Sequence, residues 1–319
     1  MIVVFGEALI DLMPADDPDQ WRAMPGGGPA NTAVALARLG TPVALACRLS
    51  NDAFGRRLRR HLKENGVDLS LAVSATEPSS LAVLGFAGQG VPDFRFYVQG
   101  TADWQWTAHE LPDRLPPATR ALHFGTLASV LPPGAEVLLA WATGHAHATV
   151  ITYDVNVRPS LLPDRRAYRD RIDAWLRIAH VVKASSDDLR WLHPGRDPFD
   201  AARDWIDRYG NRLILITFGA QGATAVSADG FPVHVPSVPV DVADTVGAGD
   251  TFTAGVLHSL FAQNSLNVVP PTVSTSAMDR ALRFGSAAAA ITCTRPGAQP
   301  PAAAAVTDLL AQLGDAGPA

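Results

Sequence analysis

The chain has 319 residues, enough for two domains or for one large α/β domain with an appendage, and it can bury a sizeable core without disulfides or structural metals. Hydrophobic residues make up 47% and charged residues 18%, which excludes a predominantly disordered chain. A formal net charge of −5 gives no global positive field for nucleic acid or an anionic membrane surface, and no apolar run approaches the roughly 18 residues of a membrane span.

Taken in order, Ile2–Phe5 reads as a short buried strand, closed by Gly6 and Glu7 and too short for a signal-peptide core. A polar stretch with Asp16, Asp17, Pro18 and Asp19 leads to Gly26-Gly27-Gly28, and Ala30–Leu39 then reads as a helix stopped by Gly40. Val43–Leu49 reads as a second buried strand. Asp52–Asn65 reads as a basic amphipathic helix with Phe54, Leu58 and Leu62 on one face. Ser79–Phe86 and Phe94–Val98 read as a hairpin across Gly88-Gln89-Gly90, outside the main pattern.

From residue 120 strands and helices alternate. Ala121–Phe124, Thr149–Asp154, His180–Val182 and Leu213–Thr217 are β runs; Glu136–Ala142, Asp164–Ile178, Asp188–Trp191 and Pro198–Tyr209 are helical. This alternation predicts βαβ units and a parallel sheet with right-handed crossovers. Ala223–Ser227 and Phe231–Val235 form a further hairpin across Asp229-Gly230. Ala248–Phe261, Arg280–Thr292 and Ala303–Leu313 read as helices, with a loop over 263–277. Cys47 and Cys293 lie in apolar runs and read as buried thiols, and the whole reads as a soluble, cytosolic protein.

The strongest chemical signal is Asp244-Thr245-Val246-Gly247-Ala248-Gly249-Asp250, a glycine-rich turn running into a helix. Uncovered N–H groups at the glycines, with the helix N-terminus behind them, suit a phosphoryl group. Asp250 in the first turn is a candidate base or, alternatively, a cap. A Walker A loop is excluded because neither Lys63 nor Lys183, the only lysines, follows a glycine. The dinucleotide fingerprint, zinc-ligand spacings and the G-x-S-x-G elbow are absent too.

Pro25–Ala33, with Asn31, is either a ligand-facing loop or a plain helix entry. Asp154, Asn156 and Arg158 alternate at a strand C-terminus, suiting a polyol or phosphate, or else form a turn entry. Lys183–Asp188 and Thr217–Gly222 also follow strands, as ligand-facing segments or as a capped helix start and a structural turn.

These segments together resemble the ribokinase/fructokinase family of sugar kinases (the phosphofructokinase-B type), from Gly6–Asp11 to Arg295–Ala298, with Gly26–Asn31 and Asp244–Gly255 as the specific motifs. Asn51–Gly55 and Asp154–Pro159 resemble its fructokinase-like branch. The resemblance implies a single doubly wound, Rossmann-like α/β domain with a mainly parallel sheet and a small β-sheet lid over the sugar, formed by about 12–24 and 79–106. It implies a kinase that transfers the γ-phosphate of ATP to a sugar hydroxyl, with fructose leading. Asp250 would be the general base, and Gly247, Ala248 and Gly249 would form the anion hole with it. Asp11, Gly27, Gly28 and Asn31 would bind sugar hydroxyls, with Asn156 and Arg158 facing sugar and phosphate.

Lys183, Ser185, Asp188, Thr217, Gly219 and Gly222 would lie along ATP, Asp188 reaching Mg²⁺ through water. Asp244 with the loop at 292–297 would hold a monovalent cation, K⁺. Ser185 and Asp188 depart from the family's Asn-x-x-Glu motif, and the lid sequence Phe96-Tyr97-Val98-Gln99 lacks an arginine that many fructokinases carry. Alternatives within the family are a 2-keto-3-deoxygluconate kinase using Arg158 and Arg95, or a nucleoside kinase using Trp104 and Trp106. A catalytically inactive sugar-binding relative is the alternative of another class. Trp21, Trp104 and Trp106 are expected in the lid, against sugar or against a second copy in a homodimer.

Overall fold

The computed structural model describes residues 1–315 apart from 16, 18, 88–90, 229 and 231. The chain opens with β1 (Ile2–Phe5), β2 (Leu9–Pro14), β3 (Trp21–Gly26) and α1 (Gly28–Arg38). Then come β4 (Val43–Ala46), β5 (Arg48–Ser50), α2 (Ala53–Glu64), β6 (Val73–Ala75), β7 (Leu81–Ala87) and β8 (Val91–Tyr97). The alternating segment carries β9 (Ala121–Gly125), α3 (Gly134–His145), β10 (Val150–Asp154), α4 (Arg165–Leu176), β11 (Val181–Ser185), α5 (Ser186–Leu192) and α6 (Pro198–Tyr209). It closes with β12 (Leu213–Thr217), β13 (Ala223–Ser227), β14 (Val233–Val235), α7 (Ala248–Ala262), α8 (Thr275–Cys293) and α9 (Ala303–Asp315).

Eight strands form the main sheet in the order β14-β13-β12-β11-β10-β9-β1-β4, parallel from β12 to β4, with β13 and β14 antiparallel at one edge. Both faces are covered, which explains why β1 reads as an unbroken apolar run: Ile2 and Val4 enter one core and Val3 and Phe5 the other. The first core contains residues of α1, α7 and α8. The second is aromatic, with Phe5 stacked on Phe124 and Tyr153 stacked on Trp175. β1 lies between β4 and β9, so the chain reverses its direction of winding there and opens a crevice at the strands' carboxyl ends. No helix among the described residues is long and apolar enough to cross a membrane.

A second sheet, β3-β2-β7-β8, stands beside the first. Its first two strands, β2 and β3, fall where the residues alone suggest only a polar stretch, because charged Asp11 and Arg22 interrupt the apolar pattern. The expected hairpin at 79–98 is present as β7 and β8; its turn, 88–90, lies outside the described residues. Likewise β13 pairs with β14, while 229 and 231 of the expected hairpin lie outside them. The expected strand Val43–Leu49 is two strands: β4 joins the main sheet and β5 turns away to pair with β6. α8 begins at Thr275, capped by the Ser274 hydroxyl on Ala277 N, so the loop before it is shorter than expected. Cys47 is buried as expected, Cys293 only half-buried, and both are free.

Polar anchors fix the small sheet to the body. The buried Asp103 carboxylate accepts Ala8 N (2.9 Å) and the Ser80 hydroxyl, joining the roots of β2 and β7. Asp52 caps α2 through Gly55 N and also accepts Ser79 N and Oγ (2.8 Å each). Trp104 and Trp106, expected in an exposed lid, are instead 2% exposed and belong to the aromatic core. The lid therefore ends at β8. The reason is visible at Gly134 of α3, where an added Cβ would stand 2.7 Å from Trp104 O and 3.1 Å from Trp106 Cδ1: the helix seats on this segment.

α7 and α8 approach at glycines. A Cβ built on Gly285 would meet Val256 Cγ2 at 2.8 Å and Phe252 O at 2.9 Å. Gly285→Val is therefore expected to push the helices apart and to lower stability by about 1–3 kcal/mol, measured as a drop in Tm. Gly144→Ala, a site with nothing within 4 Å, should instead leave Tm unchanged or raise it slightly.

Candidate active site

A cavity of about 310 Å³ opens where the lid faces the carboxyl ends of the main strands. Ten of the residues expected to bind ligand line it together: Asp11, Gly27, Gly28, Asn31, Asn156, Arg158, Lys183, Gly247, Gly249 and Asp250. Five separate pieces of the fold deliver them. Asp11 comes from β2, the glycines and Asn31 from the start of α1, Asn156 and Arg158 from the turn after β10, Lys183 from β11, and the last three from the start of α7.

Two helix N-termini converge there. Gly247 takes the left-handed conformation (φ 75°), and a Cβ on it would meet Ala298 Cβ at 2.5 Å, so only glycine fits. No side chain caps α7, which leaves N–H groups of its first turn for a ligand. Asp250 therefore does not serve as a cap. Its Oδ2 accepts Asn31 Nδ2 at 2.8 Å, a bond between residues 219 positions apart. α1 also lacks a side-chain cap and starts from Gly27 (φ 101°), where a Cβ would stand 2.7 Å from Glu7 O.

The electrostatics follow from burying carboxylates together. Burial raises the Asp250 pKa, opposed by the Asn31 bond and by Lys183 and Arg158. Burial and the Asp250 charge push Asp11 up to about 7, against Arg158. Lys183 Nζ pairs with Asp154 Oδ2 at 3.1 Å, and Thr253 Oγ1 donates to the same oxygen. A Cβ on Gly249 would lie 3.3 Å from Lys183 Nζ, so this ammonium sits under the α7 turn. Asn156 holds a positive φ of 37°, a strained conformation of the kind found at ligand sites.

The remaining expected residues flank this cavity. Ser185 and Asp188 form a capping box at the start of α5, and Asp188 Oδ1 also accepts Val157 N at 2.8 Å. Thr217 pairs with Ser185 across β11 and β12, and Gly219 and Gly222 follow in a short 3-10 turn. Gly222 has a structural requirement: a Cβ would lie 2.1 Å from Val235 O. Ala248 opens α7 itself. Asp244 Oδ1 accepts Val246 N at 3.0 Å and Oδ2 accepts Gly297 N at 2.7 Å, tying the loop at 297 to the α7 turn.

Arg95, weighed as a cation for a sugar acid, pairs with Val83 in the lid. It points to the face opposite Phe96, which lines the cavity. Glu7, Leu9, Ala82, Phe96, Leu127, Thr245 and Val246 complete the walls beyond the sequence-derived set. Thr245 and Val246 lie inside the glycine-rich motif, Glu7 and Leu9 inside the Gly6–Asp11 segment and Phe96 in the lid sequence, whereas Ala82 and Leu127 carried no sequence signal.

The comparisons agree over nearly the whole chain. The family model described as pfkB family carbohydrate kinase matches residues 1–305. A fructokinase of Rhizobium leguminosarum bv. trifolii is 38% identical over 269 residues, covering 83% of this chain and 81% of that one. A structure of fructokinase with bound ATP from Xylella fastidiosa aligns with a TM-score of 0.87 at 28% identity, covering 98% of this chain and 99% of that one. A double mutant of fructokinase from Vibrio cholerae O395, bound to fructose, ADP and potassium ion, aligns with a TM-score of 0.84 at 25% identity, covering 97% of each chain.

Glu7 offers a test of this electrostatic picture. It is fully buried, its Oε2 accepts Ala128 N at 3.2 Å, and burial pushes its pKa from 4.5 up to about 8. A carboxyl raised by folding contributes stability below its unfolded pKa, and that contribution is lost as pH climbs through the folded value. Wild type should therefore lose stability relative to the permanently neutral Glu7→Gln between about pH 4.5 and about pH 8, seen as a pH-dependent gap between their melting curves.

With the fold, the converging helix N-termini and these matches in place, the chain belongs to the pfkB family of carbohydrate kinases.

Proposed function

We propose that this chain transfers the γ-phosphoryl group of ATP to a hydroxyl of a ketose, with fructose as the substrate. One observation carries the assignment of the base: the Asp250 carboxylate leaves its own helix uncapped and faces the cavity, held by Asn31. The fructose and ADP bound by the Vibrio fructokinase, and the ATP bound by the Xylella enzyme, support the substrate pair.

In this reading the sugar lies against Asp11, Gly27, Gly28 and Asn31, under the lid. Its reacting hydroxyl gives its proton to Asp250 as the oxygen attacks the γ-phosphorus, and the bond to the departing ADP oxygen breaks. The raised pKa of Asp250 suits a base working near neutral pH. N–H groups of Gly247–Asp250, with Arg158 and Asn156, receive the charge on the transferring group. Lys183 lies at this phosphate end, beneath Gly249. Ser185, Asp188, Thr217, Gly219 and Gly222 line the path of the rest of the nucleotide. Lid closure keeps water from the phosphate. Two alternatives lose support: Trp104 and Trp106 are buried away from a nucleoside, and Arg95 faces away from a sugar acid. Free thiols and the use of ATP suit a cytosolic setting.

Among the described residues no group of three or more His, Cys, Asp or Glu side chains could hold a metal ion. The Asp188 carboxylate retains lone pairs beyond its main-chain bonds, which suit the water shell of Mg²⁺ carried on the ATP phosphates. Mg²⁺ would neutralise phosphate charge there. Asp244, with main-chain carbonyls of the 292–297 loop, would hold K⁺, adding positive charge beside the anion hole. Turnover should fall when tetramethylammonium replaces K⁺; equal rates would remove this cation from the reading.

Asp250→Asn should lower kcat on the order of 10³-fold with fructose, while Tm changes little because Asn keeps the shape and α7 uses no side-chain cap. Near-normal kcat would move the chemistry to Asp11.

The outer lid face is the surface for a second copy in a homodimer. Strand register places Trp21, Leu12, Val83 and Tyr97 on it, with Trp21 47% and Tyr97 62% exposed. Sedimentation should show a dimer that Trp21→Asp converts to monomer; a monomeric wild type ends this proposal.

A further inference from the structure

Beside the catalytic cavity lies a second one of about 410 Å³, between the lid, α1, α2 and the 297–299 loop. Its lining carries three cations, Arg38 from the end of α1 and Arg57 and Arg60 from α2, beside the carboxylates of Asp11 and Glu64. A basic helix face is ordinarily just solvated. Here, however, the arginines of α2 divide by direction. Arg56 bonds Asn51 O and Arg59 bonds Ser74 Oγ. Arg57 and Arg60 turn instead to the concavity that Arg38 reaches from another helix. No carboxylate lies within salt-bridge distance of these three guanidinium groups among the described residues. Burial lowers the pKa of His61 on the same wall, Glu64 opposes this, and the charges of Arg38 and Arg57 add to it, so both arginines act at this wall.

Guanidinium groups bind phosphate oxygens in a forked, bidentate manner, and a cavity of this volume suits a small metabolite. Met13, Met24 and Val34 supply apolar wall, which a bare inorganic anion would not use. Asp11 and Val246 line both cavities, so a ligand here shares two wall residues with the site proposed for the sugar and the phosphoryl group.

We propose that this second cavity is a regulatory site for a small phosphorylated sugar, held by Arg38, Arg57 and Arg60, and that its occupancy weakens binding of the sugar substrate through Asp11. The binding half stands on this cavity alone; the coupling half rests on the assignment of Asp11 to the sugar.

The test uses the full chain with ADP saturating the nucleotide site. Fructose 1,6-bisphosphate and, separately, pyrophosphate are titrated by calorimetry. Saturable binding of the bisphosphate is expected, tighter than that of pyrophosphate. It should weaken about tenfold or more in Arg38→Gln/Arg57→Gln/Arg60→Gln and persist in Asp250→Asn. Arg60→Gln alone should give a smaller loss in the same direction, which keeps the test valid if the triple variant folds poorly. In steady-state kinetics the bisphosphate should raise the fructose KM about fivefold or more, and this effect should vanish in the arginine variants. Absent binding, or binding unchanged in both arginine variants, overturns the site. Equal affinity for pyrophosphate overturns the sugar phosphate as its ligand. Binding with an unchanged KM overturns the coupling. Because binding is read without turnover, a failure of the fructose assignment would show separately, as absent phosphorylation of fructose.

Discussion

The hydrogen bond from Asn31 Nδ2 to Asp250 Oδ2 joins the first turns of α1 and α7, and the rest of the site is arranged around it. Both helices begin at glycines with positive φ, and neither has a side-chain cap. Ordinarily an Asp in the first turn of a helix, or an Asn at such an entry, would satisfy local N–H groups. Here the two side chains satisfy each other instead. The N–H groups they leave open are what an anion needs, and the partial positive charge of two helix ends points at one volume. Bringing these ends together requires α7 to seat closely on its neighbours, which explains the glycine contact between Gly255 and Gly285 far from the cavity.

Such an arrangement concentrates acids. Asp11, Asp154, Asp250 and Glu7 all lie in or near the cavity, and burial raises the pKa of each. Desolvation alone would drive them all neutral. Lys183 opposes this from below through its bond to Asp154, and Arg158 from the side. Lys183 is one of only two lysines in an arginine-rich chain. Its compact ammonium suits the narrow space beneath Gly249, where a Cβ would already lie 3.3 Å from Nζ.

Polar anchors as well as apolar packing connect the lid to this centre. Asp103 joins the roots of β2 and β7, and Asp52 joins the start of α2 to the entry of β7. The Asn51–Gly55 segment thus has a mechanical purpose: it ties the helix that bears Arg57 and Arg60 to the strands over the sugar. Gly55 is required there because a Cβ would stand 1.9 Å from Ser50 O.

Much of this was legible in the residues themselves. Alternating apolar strands and helices determined a parallel sheet covered on both faces, because strands buried on both sides leave unbroken apolar runs such as Ile2–Phe5. The glycine-rich turn before Asp250 marked a helix start suited to an anion, because its chemistry is local in sequence, while the absence of a side-chain cap was decided by the structure. Other features depend on contacts between distant segments, and no local pattern encodes them. The β2–β3 ribbon is hidden because its strands bear charges, Asp11 facing the cavity and Arg22 facing solvent, that interrupt the apolar pattern. Trp104 and Trp106 are apolar and look the same in a core or on a surface until α3 seats on them. The Asn31 to Asp250 bond and the pairing of Lys183 with Asp154 were decided by tertiary structure alone, since each joins residues that the chain holds far apart and only the packed sheet and helices bring within hydrogen-bonding reach.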